Sequence, residues 1–360
     1  MRYIFFGTPE FAAIILEKLI EAGMPPALVV TNPDKPVGRK QVLISPPVKE
    51  VAERHGISVL QPETLKTKNP AEGGVLARSK DDPIRPGLSL KNSIANQIEK
   101  SMPVDNQKGR GPAGNRTPET LVTIQVPDHP GPTTDIVYQD WDFFLVVAYG
   151  KIIPKEILEI PRLGVLNVHP SLLPKYRGPT PIQTTLLNGD TTTGVSIMLL
   201  DEEIDHGPIL KISNFQFPIS NETYASLSEK LAHLGAEMLV EVLPKYVHGK
   251  ITPVPQEHEK ATCTKKFTTE DAFVPYKDLA AALGGDIEKT RHIDRIIRAL
   301  NPEPGVWTRT ENNQILDLPK NKRVKLLEAE TRGEKLILNE VQVEGQKPRI
   351  PTQSSARLSR

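Results

Sequence analysis

Asn167 and His169 are two polar side chains in the apolar run Gly164-Val165-Leu166-Asn167-Val168-His169. They are two residues apart, so on a β-strand both point to the same face. An amide and an imidazole side by side are costly when merely buried, and useful when a reacting group lies over them. The amide can donate a hydrogen bond to a developing oxyanion, and the imidazole can donate or take a proton. Pro170 and Pro174 follow; they block further ladder pairing and stiffen the exit loop. Read alone, such a pair is usually just the satisfied polar end of a strand. Asp205, in Asp201-Glu202-Glu203-Ile204-Asp205-His206-Gly207, reads alone as a turn residue at the end of another strand.

The chain that must position these groups has 360 residues, enough for two ordinary domains. Its 25% charged and 38% hydrophobic residues suit a soluble globular protein. The net charge of +1 supplies no global field toward nucleic acid or membrane, so any RNA contact must come from local patches. A single cysteine, Cys263, excludes an internal disulfide and a cysteine-based metal cluster, and suits a reducing cytosol. No metal is expected. The first apolar stretch is broken by Glu10, Glu17 and Lys18, so neither a signal segment nor a membrane span is expected there.

Residues 2–6 read as a buried strand. A helix follows to about Glu21, with Thr8 as cap and Pro9 in its first turn, and then a strand over 27–30. This is the βαβ opening of an α/β fold, and the absence of Gly-x-Gly-x-x-Gly disfavours a dinucleotide site. Two prolines and a glycine predict no regular structure in the basic loop 31–45. A helix over 47–55 and a strand over 57–60 come next. Residues 67–134 hold nine prolines and no Phe, Tyr, Trp or Cys. Such a span buries too little apolar area to offset its ordering entropy, so it reads as a disordered insertion with one short helix near 90–100. Limited proteolysis is expected to cut there first; slow amide exchange across the whole span would instead reveal a packed subdomain.

Phe143 to Ala148 reads as a central strand, 152–158 and 182–187 as helices, and 195–200 as a strand. Ser220 is the expected cap of a long helix with Leu227, Leu231, Leu234, Met238 and Val242 as its stripe. Gly249 and the prolines at 244, 253 and 255 mark a boundary. The expected organisation is a first domain over 1–250, a linker over 251–261, a second domain over 262–346 and a loose tail over 347–360. In the second domain an amphipathic helix over 289–300 precedes short strands over 306–309, 315–318, 324–329 and 335–341, which suggest a small barrel.

The run Asn167-Val168-His169-Pro170-Ser171-Leu172-Leu173-Pro174, with Tyr176-Arg177-Gly178 after it, resembles the formyltransferases that use 10-formyltetrahydrofolate. Phe6-Gly7-Thr8-Pro9-Glu10-Phe11-Ala12, Asn32-Pro33-Asp34-Lys35-Pro36-Val37-Gly38-Arg39 and Ser45-Pro46-Pro47-Val48-Lys49 look like the branch whose acceptor is methionyl-initiator tRNA. Asn301-Pro302-x-Pro304-Gly305-Val306-Trp307 looks like the start of that branch's C-terminal domain. The resemblance covers 1–66 and 140–346. It implies a Rossmann-like domain with a mostly parallel sheet and a small OB-like C-terminal β-barrel.

It also implies roles. Ile204-Asp205-His206-Gly207 matches the motif that carries the family's catalytic aspartate, which completes a trio with Asn167 and His169. Ser171, Leu172, Leu173 and Pro174 match the folate-contacting loop, and Ala148, Tyr149 and Gly150 a second loop against the folate. The loop with Lys35, Arg39 and Lys40 matches a tRNA-contacting insertion. Lys265, Lys266, Lys320, Lys322, Arg323 and Lys325 offer a second basic patch. The implied partners are initiator methionyl-tRNA and the folate donor, with no membrane, for a monomer in the cytoplasm. Two other readings stay open at this point: a formyltransferase acting on an amino sugar or a glycinamide ribonucleotide, and an RNA-binding relative without catalysis.

Overall fold

The structure, a computed structural model, describes residues 1–37, 41–65, 123–124, 134–135, 141–216, 221–311 and 317–352. The chain divides into two compact units, Met1–Asn167 and Val168–Arg360.

The first unit opens with β1 (Tyr3–Gly7), α1 (Glu10–Glu21) and β2 (Leu28–Val30). β3 (Lys35–Val37), β4 (Val42–Ile44), α2 (Pro47–Arg54) and β5 (Val59–Leu60) follow. The two-residue strands β6 (Thr123–Ile124) and β7 (Thr134–Asp135) pair antiparallel. Then come β8 (Phe143–Val147), the short α3 (Lys155–Leu158) and β9 (Val165–His169), the last of which runs across the boundary between the units. This unit's sheet has the order β5–β2–β1–β8–β9, and its pairings are all parallel, with Ile4 opposite Leu28 and Phe144 opposite Val165.

A strand with neighbours on both sides and covered faces should be apolar throughout, as Tyr-Ile-Phe-Phe and Phe-Phe-Leu-Val-Val are. Tyr3 to Phe6 are wholly buried, and the Tyr3 ring stacks on Phe143 at 4.8 Å. α1 buries Phe11, Ala12, Ile15, Leu16 and Leu19. At Gly7 a Cβ would lie 2.8 Å from the Ala12 Cβ and 3.1 Å from the Val147 carbonyl oxygen, so the strand can turn into α1 there only without a side chain.

Several expectations change. Thr8 does not cap α1; its hydroxyl accepts from Asn32 Nδ2 at 3.0 Å. The loop 31–45 holds regular structure that its breakers did not predict: β3 and β4 form an antiparallel ribbon with Pro36 opposite Leu43. Proline is excluded from central strands but tolerated in a ribbon where its nitrogen faces outward. The expected disorder of 67–134 and the short helix at 90–100 lie outside the described residues, β6 and β7 apart.

The second unit continues from β9 into α4 (Pro181–Asn188), which ends on the left-handed Gly189 as the Asn-Gly pair predicts. β10 (Thr192–Leu199) and β11 (Ile209–Gln216) form an antiparallel pair with a bulge at Ile197/Met198. The long α5 (Tyr224–Val247) starts at Thr223, not Ser220, which lies outside the described residues; Thr223 and Ser226 form a capping box. Such a cap contributes about 1 kcal/mol. The helix also runs through Pro244, which sits within its last turn instead of ending it.

α6 (Tyr276–Gly284) and the amphipathic α7 (Ile287–Leu300) precede β12 (Trp307–Arg309), β13 (Arg323–Arg332) and β14 (Lys335–Val343). These strands form a three-stranded antiparallel sheet in the order β12–β13–β14. Of the strand expected at 315–318, residues 315–316 lie outside the described residues. Residues 347–352 are not loose: Arg349 exchanges backbone hydrogen bonds with Val341 at 2.8 and 2.9 Å, and Asp317 N–H donates to Thr352 at 3.1 Å.

Candidate active site

Asn167 and His169 both lie on β9 and are buried, with 8% and 4% of their surface exposed. His169 Nε2 is 2.9 Å from the carbonyl oxygen of Tyr176. A carbonyl can only accept, so Nε2 carries a proton. His169 Nδ1 lies 3.6 Å from Asp205 Oδ2. In neutral His169, Nδ1 is therefore the nitrogen with the free lone pair, and a proton added there faces a carboxylate. The structure thus brings His169 and Asp205 together, from two segments far apart in sequence.

The groups around them are fixed by backbone. The loop after Pro170 turns back so that the Tyr176 carbonyl reaches the imidazole. Ser171 Oγ donates to the Lys175 carbonyl at 2.6 Å, and the buried Ser196 hydroxyl donates to the Ser171 carbonyl at 2.7 Å. Residues 262–264 run beside the loop, with Arg177 N–H donating to Thr262 at 2.8 Å and Thr264 N–H to Arg177 at 2.7 Å. Tyr176 has φ +64° and Asp205 φ +48°, both in the left-handed region. A non-glycine residue held there costs of order 1 kcal/mol or more, and such residues gather at functional sites. Gly178 N–H donates to Asp205 Oδ2 at 2.7 Å. Gly178 itself has φ +105°, and a Cβ there would lie 2.9 Å from Thr264 Oγ1.

The Tyr176 side chain is anchored away from the imidazole. Its hydroxyl donates to Asp190 Oδ2 at 2.6 Å and accepts from Asn188 Nδ2 at 2.6 Å. Burial, reinforced by the hydrogen bond to Asp190, pushes its phenol above the ordinary tyrosine range. Burial alone would lower the ammonium of Lys175, but the hydrogen bonds to Asp190 and Tyr176 outweigh it and raise it.

Of the residues expected at the folate loops, Ser171 and Leu173 are buried at 1% and 3% exposure, whereas Leu172 and Pro174 are half-buried. Leu172 packs where Gly194 leaves room; a Cβ at Gly194 would lie 2.5 Å from its Cδ2. In the first unit, β8 ends beside β9, with Val146 opposite Asn167, and runs directly into Ala148-Tyr149-Gly150. Ala148 (φ +46°) and Gly150 (φ +78°) are exposed and left-handed. Tyr149 between them is 1% exposed and packs edge-on to Phe6 at 5.5 Å; burial pushes its hydroxyl well above the usual tyrosine range. Asn32 Nδ2 donates to the Tyr149 carbonyl at 3.1 Å and so ties this turn to the end of β2.

Of the basic residues, Lys35 is exposed on β3, and Arg39 and Lys40 lie outside the described residues. Lys265 is exposed but ion-paired with Asp271, whose carboxyl is lowered to about 2 by Lys265 and the Thr268 hydrogen bonds. Lys266, Lys320, Lys322 and Lys325 are exposed, and the Arg323 guanidinium lies 4.1 Å over the Trp307 ring. Among the described residues no group of three or more His, Cys, Asp or Glu could hold a metal, and no helix is long and apolar enough to cross a membrane.

Sequence reasoning missed Gln256. It is 6% exposed, and its Nε2 donates to the carbonyls of Asp205 and Gly207 at 2.9 and 2.7 Å. Its neighbours Pro253 and Pro255 read as linker, and no local pattern marks it.

The formyl transferase family matches residues 134–243, a span that contains all of the trio. The methionyl-tRNA formyltransferase of Chloroflexus aurantiacus is 37% identical over 308 residues, covering 86% of this chain and 76% of that protein. That of Enterococcus faecalis is 34% identical over 308 residues, covering 85% and 75%. Among solved structures, WlaRD, a sugar 3N-formyl transferase, aligns with a TM-score of 0.50 at 14% identity over 96% of this chain and 99% of that one. A variant of HypX from Aquifex aeolicus aligns with a TM-score of 0.52 at 14% identity over 98% and 48%. These two likenesses concern the fold alone.

Proposed function

The chain belongs to the methionyl-tRNA formyltransferases, and on that premise we propose how its own residues carry the transfer. The reaction places a formyl group from a folate-derived donor on the amino group of methionyl-initiator tRNA. We take the donor to be 10-formyltetrahydrofolate. The observation that carries the reading is His169, held by Nε2 to a carbonyl with Nδ1 turned to the Asp205 carboxylate.

As the amine attacks the formyl carbon, a C–N bond forms, negative charge gathers on the formyl oxygen and the nitrogen becomes an ammonium. Asn167 donates its amide hydrogen to that oxygen. His169 Nδ1 takes the ammonium proton, and Asp205 stabilises the resulting imidazolium. His169 then returns the proton to the folate nitrogen as its bond to the formyl carbon breaks, so the enzyme ends as it began. Ala148, Tyr149 and Gly150, with Leu172 and Pro174, hold the donor through backbone and apolar edge; Ser171 and Leu173 shape that edge from beneath.

Residues 1–250 carry the transfer and 262–346 assist in holding tRNA, as a monomer in the cytoplasm. Lys35, Arg39 and Lys40 form one patch on tRNA; Lys266, Lys322 and Arg323 form another, with Lys265 weakened by its tie to Asp271. Arg39→Ala is expected to lower kcat/KM for methionyl-tRNA strongly and leave the folate KM unchanged. Lys322→Ala is expected to weaken tRNA affinity and to flatten the dependence of log K on log salt by about one unit. A wild-type rate for Arg39→Ala would leave that loop a solvated face.

Formyl transfer from 10-formyltetrahydrofolate to methionyl-initiator tRNA tests the whole reading. Transfer to an amino sugar or glycinamide ribonucleotide instead would overturn the acceptor. Tight tRNA binding with no transfer to any acceptor would favour the non-catalytic relative.

A further inference from the structure

Asp205 occupies a backbone conformation that a side chain disfavours, φ +48°, and something must hold it there. The hold is a closed ring of contacts within the second unit. Gln256 donates both hydrogens of Nε2, one to the Asp205 carbonyl at 2.9 Å and one to the Gly207 carbonyl at 2.7 Å. Its Oε1 accepts from Arg177 Nε at 3.1 Å and Nη2 at 2.7 Å. Arg177 is followed by Gly178, whose N–H donates to Asp205 Oδ2. One arm of the ring grips the Asp205 backbone, the other its carboxylate, and both start from Arg177.

The amide has one workable orientation. Flipped, it would set its NH₂ against the guanidinium donors and its oxygen against two carbonyls. Arg177 and Gln256 are nearly fully buried, at 8% and 6% exposure, so this ring is shielded from competing water. Arg177 Nη2 also donates to His258 Nδ1 at 2.8 Å. His258 stacks on His206 at 4.1 Å, and His206 Nδ1 pairs with Asp201 Oδ2 at 2.7 Å. The turn 201–207 is thereby fastened at both ends.

We propose that Gln256 and Arg177 are positioning residues for the transfer, setting the Asp205 carboxylate against Nδ1 of His169. The inference rests on the reading above, in which Asp205 serves the chemistry. Neither residue touches a reacting atom; the two Nε2 donors of Gln256 act through the Asp205 turn, whereas Arg177 also adjoins the Tyr176 carbonyl that holds His169.

The test is a double-mutant cycle in single-turnover transfer to methionyl-tRNA, using the full chain. Gln256→Glu keeps the volume and the oxygen facing Arg177 but removes the two donors. It is expected to lower the rate about 100-fold, the scale of an ångström-level misplacement. KM for both substrates should stay near wild type. Arg177→Lys, which keeps the charge and loses the fork, should fall in the same direction. In an Asp205→Ala background Gln256→Glu should not lower the rate further, because its route to the chemistry is gone. Additive losses in that background would overturn the proposal, as would a wild-type rate for Gln256→Glu. A wild-type rate for Asp205→Ala alone would instead overturn the reading beneath it. Gln256→Ala repeats the cycle with the side chain truncated and must give the same non-additivity.

Discussion

His169→Ala lowers kcat for formyl transfer by about 10²–10⁴-fold while methionyl-tRNA still binds, because general acid–base catalysis by a placed imidazole is of that size. The expectation follows from the two nitrogens of the ring. Nε2 is committed to the Tyr176 carbonyl, so Nδ1 alone can accept the ammonium proton. Asp205 Oδ2 lies 3.6 Å from His169 Nδ1 and accepts from the Gly178 N–H at 2.7 Å. Asn167→Ala should cost about 10²–10³-fold in kcat, the range seen when an oxyanion donor is removed. Asp205→Ala should fall with His169→Ala rather than add to it, since the two act as one unit. The check is steady-state kinetics on the three variants beside tRNA binding by gel shift. Near-normal kcat in any two of them sinks the assignment.

Gly207→Ala is the second large effect, and it comes from backbone instead of chemistry. A Cβ at Gly207 would lie 2.2 Å from the Leu199 carbonyl oxygen and 3.1 Å from its carbon. Neither atom belongs to a flexible side chain. Leu199 is itself tied to the same turn through its N–H, which donates to the Pro208 carbonyl at 2.9 Å. Relief requires the turn to move by about 1 Å, and a displacement of that scale is enough to cost about 100-fold in rate. The Asp205 carbonyl and the Gly207 carbonyl share Gln256, so the movement is passed to Asp205 directly. Overpacking of this kind also lowers stability by about 1–3 kcal/mol. A thermal midpoint and a kcat both near wild type would show that the turn yields freely.

What could be read from the sequence follows the range over which each signal acts. The pairing of Asn167 with His169 on one strand face needs only a period of two, and β9 has it. The stop of α4 at Asn188-Gly189 needs only one left-handed glycine. The β3–β4 ribbon was hidden because Pro36 and Gly38 are local breakers, and only the pairing partner Val42-Leu43-Ile44 makes a strand of that segment. The start of α5 was misplaced because its capping box uses Thr223 and Ser226 where Glu or Gln is the usual signal. The anchoring of Asp205 by Gln256 spans 51 residues and rests on a side-chain amide between prolines, so no local pattern announces it. Tyr176 lies inside a motif that was legible, but its contribution to His169 is a backbone carbonyl, which sequence does not display.

The β3–β4 ribbon has a consequence for how this protein behaves at high concentration. Val42, Leu43 and Ile44 are 57%, 67% and 51% exposed, an apolar row on a strand that pairs, among the described residues, with β3 alone. Such a row is a template on which a second chain can add a strand. Pro36 stands on the other strand of the ribbon, so it guards only the β3 edge, where its nitrogen cannot donate to an incoming strand. Lys35 beside it adds a charge that an approaching apolar strand would have to desolvate. The proline that disguises the ribbon in the sequence thus closes one edge to strand addition and leaves the apolar β4 edge as the point where a second chain could add.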